Sequence, residues 1–102
     1  MGKSVPNIVI FASGSGTNAE NIINWAKDHK TYRVTAVLCN RKDAFVLTRA
    51  ERLGVPHYTF TASEFRSNTL VYKGENRKLT DVLHELGTDF IILAGFLLKV
   101  PE

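Results

Sequence analysis

The sequence predicts an α/β domain built on an open parallel sheet. Short apolar runs alternate with stretches of helical periodicity in the order βαβαβαβ, which demands parallel strands joined by right-handed crossovers. The strand runs are continuously apolar, as in strands buried on both faces. The first of them leads through a glycine-rich turn straight into a helix. With 102 residues there is room for one domain and a modest core.

"NIVIFA", residues 7–12, is the first strand, an apolar run bounded by turn residues. Ala19, Ile22, Ile23 and Ala26 then recur at i, i+3, i+4 and i+7, one face of an amphipathic helix. Thr17-x-x-Glu20 matches a capping box and sets the helix start at Thr17. "YRVTAVLCN" is the second strand. Asp43 is expected to cap the following helix, "AFVLTRAERLG", which Gly54 stops. "VPHYTF" supplies a short third strand. Ser63 is expected to start a helix that Gly74 in "YKGEN" interrupts. Leu79, Val82, Leu83 and Leu86 form a further apolar stripe, closed by Gly87. "DFIILAG" is the fourth strand. It alternates nothing, so an interior position is expected for it, and the 102 residues leave one sheet edge and several apolar side chains without cover. The expected architecture is an open Rossmann-like sheet with flanking helices, of the size of half a fold.

The bulk numbers narrow the function. Composition is 44% hydrophobic and 23% charged, with a net charge of +3 spread along the chain. This mild excess suits an anionic small molecule, and aromatic and basic residues do not interleave as in a nucleic-acid stacking platform. Cys39 is the single cysteine, which excludes an internal disulfide and a cysteine metal cluster and favours a reducing compartment. The segment "MGKSVPN" has no long apolar run, Pro6 breaks the myristoylation pattern, and no run approaches membrane-spanning length. A cytoplasmic protein is expected.

Ligands of open parallel sheets bind beyond the carboxyl ends of the strands, so the loop "SGSGTN", residues 13–18, is the first candidate site. Glycines let the backbone approach closely, and the amides at the helix start point at the ligand. Gly14-x-Gly16-x-x-Ala19 fits a dinucleotide fingerprint. The acid expected at the tip of strand two is missing, however: that tip reads Cys39-Asn40-Arg41. Arg41 keeps an NADP ligand open, while Thr17 and Asn18 suit a phosphomonoester, which the pattern slightly favours. No Gly-Lys-Ser/Thr ends the loop, so it is not a P-loop. Cys39 is read as a packing residue, and Arg41 and Lys42 as solvated.

Three blocks in order, "IVIFASGSGTNAENII", "VLCNRKDAFVLTRAERLGVP" and "DFIILAGFLLKVP", resemble the folate-dependent phosphoribosylglycinamide (GAR) formyltransferase family over essentially the whole chain. The resemblance implies a transferase of purine biosynthesis that moves a formyl group from 10-formyltetrahydrofolate to the amine of glycinamide ribonucleotide. It assigns the substrate phosphate to Gly16, Thr17 and Asn18, within a loop completed by Gly14 and Ser15. It assigns one wall of the folate pocket to Phe96, Leu97, Leu98, Lys99 and Val100, with Leu97-Leu98 in place of a more usual Met-Arg pair. The family's folate-contacting Arg aligns with Asn68, two residues after Arg66, in a segment a few residues longer than usual. The sugar-phosphate loop argues against the deformylase and methionyl-tRNA siblings.

The family's catalytic Asn and His lie in an "N-x-HPS-LLP" block, followed by an Asp, none of which occurs in the 102 residues. His29, His57 and His84 do not occupy that place and are read as helix-surface and strand-start residues. The chain therefore corresponds to the family's N-terminal half. It has no catalytic residue, no metal, no nucleic-acid or membrane partner, and is expected to lack activity alone and to self-associate. The alternative is an inert NADP- or nucleotide-binding module of the same fold.

Overall fold

A computed structural model describes residues 5–14, 16–41 and 44–94. Four parallel strands form the main sheet: β1 (Asn7–Ala12), β2 (Arg33–Cys39), β3 (His57–Thr59) and β6 (Phe90–Ala94), in the order β3-β2-β1-β6. Helices α1 (Thr17–His29), α2 (Phe45–Arg52), α3 (Ala62–Arg66) and α4 (Leu79–Glu85) connect them, with a hairpin of β4 (Thr69–Tyr72) and β5 (Glu75–Lys78) between α3 and α4.

The period-two geometry of a strand sorts the apolar runs onto two faces. Ile8, Ile10 and Ala12 of β1 join Val37 and Cys39 of β2 against Ala19 and Ile23 of α1 and Val46 and Ala50 of α2. Val9 and Phe11 join Ala36 and Leu38 against Phe60, Phe65, Leu70, Tyr72, Leu79 and Val82 on the other side. Each strand therefore needs apolar residues at consecutive positions, and that is the pattern the sequence shows. Register slips once, where Ile8 pairs with Val34 and Val9 with Ala36. The bypassed Thr35 donates its hydroxyl to the Ile8 carbonyl at 3.3 Å.

The segment from Thr61 to Lys78 departs from expectation. The helix starts one residue before Ser63: the Thr61 hydroxyl accepts from the Glu64 amide at 3.0 Å and the Glu64 carboxylate accepts from the Thr61 amide at 2.8 Å, a complete capping box. Gly74 does not interrupt a helix. With Lys73 it makes the turn of the β4–β5 hairpin, both residues having positive φ (52° and 83°) as a two-residue hairpin turn requires. Leu70 and Tyr72, alternate residues of β4, are buried in the second core face. The Tyr72 ring packs 4.9 Å from that of Tyr58, and Arg77 of β5 donates to Glu85 of α4 at 3.0 Å.

Strand β6 lies at the end of the described sheet. Among the described residues it pairs only with β1, and the interior position expected for it is not tested by the residues described. Phe90, Ile91 and Leu93 are 61%, 46% and 51% exposed, so the uncovered apolar edge expected from the sequence is present. Its entry is tied to the start of β1. The Asn7 amide donates to the Asp89 carboxylate at 2.7 Å, the Asp89 amide to the Asn7 carbonyl at 2.8 Å, and the Asn7 side chain to the Gly87 carbonyl at 3.1 Å.

Candidate functional site

Parallel pairing sets Ala12 beside Cys39 on one flank and Ala94 on the other. The carboxyl ends of β1, β2 and β6 therefore lie at one end of the sheet, where open α/β sheets hold ligands. At the centre stands the turn after β1. Ser13 is fully buried, Gly14 is exposed, and Gly16 adopts φ 85° and ψ 13° as the N-cap of α1. Ser15 lies outside the described residues.

The helix starts at Thr17 as expected, but the capping box does not form. Gly16 occupies the cap position, and it has no side chain with which to cap. Thr17 is the first helical residue instead, and Thr17 and Asn18 are exposed at the helix mouth. The amides of Asn18 and Ala19 belong to the first turn, which an α-helix leaves without internal acceptors. The Glu20 amide closes the first helical bond, to the Gly16 carbonyl at 2.8 Å.

Helix α2 docks directly on this turn. The Val46 amide donates to the Gly14 carbonyl at 3.2 Å. A Cβ on Gly16 would lie 2.6 Å from Val46 Cγ2, so the two helix starts approach to a distance only glycine permits. Glu20 does not turn back to the cap; its Oε1 accepts from Arg49, and from Arg52 at 3.4 Å. The Arg49 guanidinium also lies 4.8 Å above the Phe45 ring. At the tip of β2, buried Cys39 and Arg41 exchange contacts, with Sγ 3.3 Å from the Arg41 carbonyl and 3.4 Å from its amide. The Asn40 Oδ1 next to them is buried without a partner. Arg41 is exposed; Lys42 and Asp43, the expected cap of α2, lie outside the described residues, and Ala44 holds the cap position.

A second feature flanks the first on the α3–α4 side of the sheet. A cavity of about 250 Å³ is walled by Phe11, Phe65, Leu79 and Leu83, with Ile91 and Leu93 of β6 and with Arg66 and Asn68 at its polar side. Asn68 is occupied. At φ 60° its Oδ1 accepts from the Thr80 amide at 3.0 Å and its Nδ2 donates to the Thr80 hydroxyl at 3.1 Å, tying the turn to the start of α4. Arg66 is exposed beside it. Phe96, Leu97, Leu98, Lys99 and Val100 lie outside the described residues.

A larger cavity, about 510 Å³, opens among Lys27, Lys30, Arg33, Tyr32 and Leu53, residues at the amino end of β2 and the carboxyl ends of α1 and α2. Two of its three cations lie at helix termini: Lys27 donates to the Leu53 carbonyl at 2.7 Å, and Lys30 is the αL cap of α1. His29 and His84 sit in the exposed last turns of α1 and α4, and His57 opens β3. Sequence reasoning missed Val46, Asn40 and the Glu20–Arg49 contact. No periodic or motif signal marks them: Val46 and the Glu20–Arg49 contact matter through neighbours distant in the chain, and the burial of the Asn40 Oδ1 shows only in the fold.

The sequence profile described as formyl transferase matches residues 6–102. The chain belongs to the formyl transferase family. Among its formyl transferase relatives, it is 37% identical over 92 residues to the phosphoribosylglycinamide formyltransferase of Escherichia coli K12, spanning 89% of this chain and 42% of that protein. It is 30% identical over 94 residues to the Bacillus subtilis protein of the same name, 91% of this chain and 46% of the relative. Its fold superposes on glycinamide ribonucleotide transformylase 1 from Geobacillus kaustophilus with a TM-score of 0.79 at 30% identity, covering 95% of this chain and 50% of that one. The chain thus spans about half the length of these three proteins.

Proposed function

We propose that this chain takes part in folate-dependent formyl transfer to glycinamide ribonucleotide, in purine biosynthesis, by anchoring the substrate's phosphate and walling one side of the folate pocket. The observation that carries the proposal is the turn at Gly16, where the first turns of two helices converge at the carboxyl end of the sheet in a formyl transferase fold. Helix N-termini favour a dianion there. Thr17 and Asn18 add side-chain donors, and Gly14, Ser15 and Gly16 let the backbone close on the phosphate oxygens.

In the transfer the glycinamide amine attacks the formyl carbon and gives up a proton, and the C–N10 bond breaks as the folate N10 departs with a proton. The 102 residues contain no N-x-HPS block to stabilise the oxyanion or shuttle that proton. Their contribution is positioning, itself a large part of many rate enhancements. The apolar cavity beside β6 suits an aromatic donor bearing carboxylates. Arg66 supplies the charge for a carboxylate there, while Asn68, whose amide serves Thr80, shapes the wall. Phe96, Leu97, Leu98, Lys99 and Val100 would extend it. The polypeptide of residues 1–102 alone is expected to show no formyl transfer.

Calorimetry with glycinamide ribonucleotide and with NADP tests the anchor. Wild type should prefer the ribonucleotide, and Asn18→Ala should weaken it about tenfold, the loss of one hydrogen bond to a charged group. Tight NADP binding indifferent to Asn18 would instead support an inert nucleotide-binding module.

A further inference from the structure

Glu20 poses an electrostatic problem for any anion held at the α1 mouth. Its amide hydrogen bonds to the Gly16 carbonyl, so a carboxylate stands one helical turn from the turn that would cradle a phosphate. Left bare, that charge would oppose the dianion and offset the attraction of the helix terminus. It is not bare. Arg49 and Arg52, one turn apart on α2, converge on the same Glu20 oxygen. Arg49 is the inner of the two: its side chain is 22% exposed against 60% for Arg52, and it lies over the Phe45 ring. Glu20 itself is 26% exposed, so the contact is only partly screened by water.

We propose that Arg49 is a positioning residue for the anion site, acting through Glu20: it cancels the carboxylate's charge and turns it towards α2, away from the α1 mouth. This rests on the phosphate-anchor reading above and assigns α2 a part in it. Val46 and Arg49 lie on adjacent turns of α2, the first touching the Gly14–Gly16 backbone and the second holding the Glu20 carboxylate. Helix α2 thereby sets both the shape and the charge of the turn without touching ligand. Removal of Arg49 leaves Glu20 with only the longer contact to the more exposed Arg52, so its charge is less well cancelled, whereas simultaneous removal of Glu20 takes away the reason for Arg49.

The test is inorganic phosphate binding to the full 102-residue chain, followed by the amide resonances of Gly16 and Asn18, with thermal unfolding of every variant alongside. Arg49→Ala should weaken phosphate about tenfold. Arg49→Lys, which keeps the charge, should stay within about threefold of wild type. Glu20→Gln should bind at least as tightly as wild type, and Glu20→Gln/Arg49→Ala should return to within about threefold of it. A purely structural role would not be rescued by deleting the partner. If Arg49→Ala leaves affinity unchanged, or weakens it equally in the Glu20→Gln background, the proposal is wrong; the second result would make Arg49 a direct ligand. If wild type gives no phosphate response at Gly16 or Asn18, the anchor reading itself fails.

Discussion

At Gly16 the backbone adopts a left-handed conformation with Val46 2.6 Å from where a Cβ would sit. Any side chain there meets both a conformational penalty and a collision with the backbone-proximal part of α2. Gly16→Ala should therefore lose at least about 2 kcal/mol of stability, measured as a lower urea midpoint at unchanged slope; a shift below about 0.5 kcal/mol would show that α2 yields. Glu85 illustrates the opposite, forgiving kind of site. The hydrogen bond from Arg77 holds its carboxyl below the ordinary value of 4.5, with burial opposing it. A depressed carboxyl contributes stability that is present above its unfolded value and is lost as pH falls through its folded one. The Glu85 carboxyl carbon should thus titrate below 4.5 by NMR and return to the ordinary value in Arg77→Ala. Because the pair is solvent-exposed, stability should barely register the change.

Among the elements, the turn between α3 and the hairpin depends most on one side chain. Asn68 holds positive φ and both of its amide atoms engage Thr80. Asn68→Ala should cost about 1–3 kcal/mol, while Asn68→Asp, which keeps the acceptor for the Thr80 amide, should recover most of the lost thermal midpoint. This stretch is also where the sequence was least legible. The four strands of the main sheet and the α1 and α2 faces could be read because each is specified locally, by continuous apolar runs or by a 3.6-residue stripe. The β4–β5 hairpin could not. Its alternation spans only Leu70 and Tyr72, and its Lys73-Gly74 turn reads equally well as a helix breaker. The same contrast holds within the candidate site. Gly16 announced a tight turn, but Thr17-x-x-Glu20 suggested a cap that the structure replaces with a contact to Arg49, 29 residues away. A capping motif describes what a side chain could do nearby and says nothing of a stronger partner from another helix.

For residues 1–102 taken alone, the β6 edge, which has no second partner among the described residues, is expected to govern behaviour in solution. Its residues 90–94 carry no charge and no proline, the usual protections of an edge strand, and three of its apolar side chains are exposed. The 102-residue chain should self-associate at micromolar concentration, and Leu93→Lys should return it to a monomer by light scattering with its circular dichroism intact. A monodisperse wild-type monomer would contradict this. The ties between Asn7 and Asp89, 82 positions apart, carry a separate consequence for the order of events during synthesis. Strand β1 leaves the ribosome before both β2 and β6 yet takes its place between them. Until residue 94 has emerged, β1 can pair only with β2, and its other flank stays open. Closure of the sheet through so distant a pairing is intrinsically slow, so β1 stays half-covered from the emergence of β2 until that of β6.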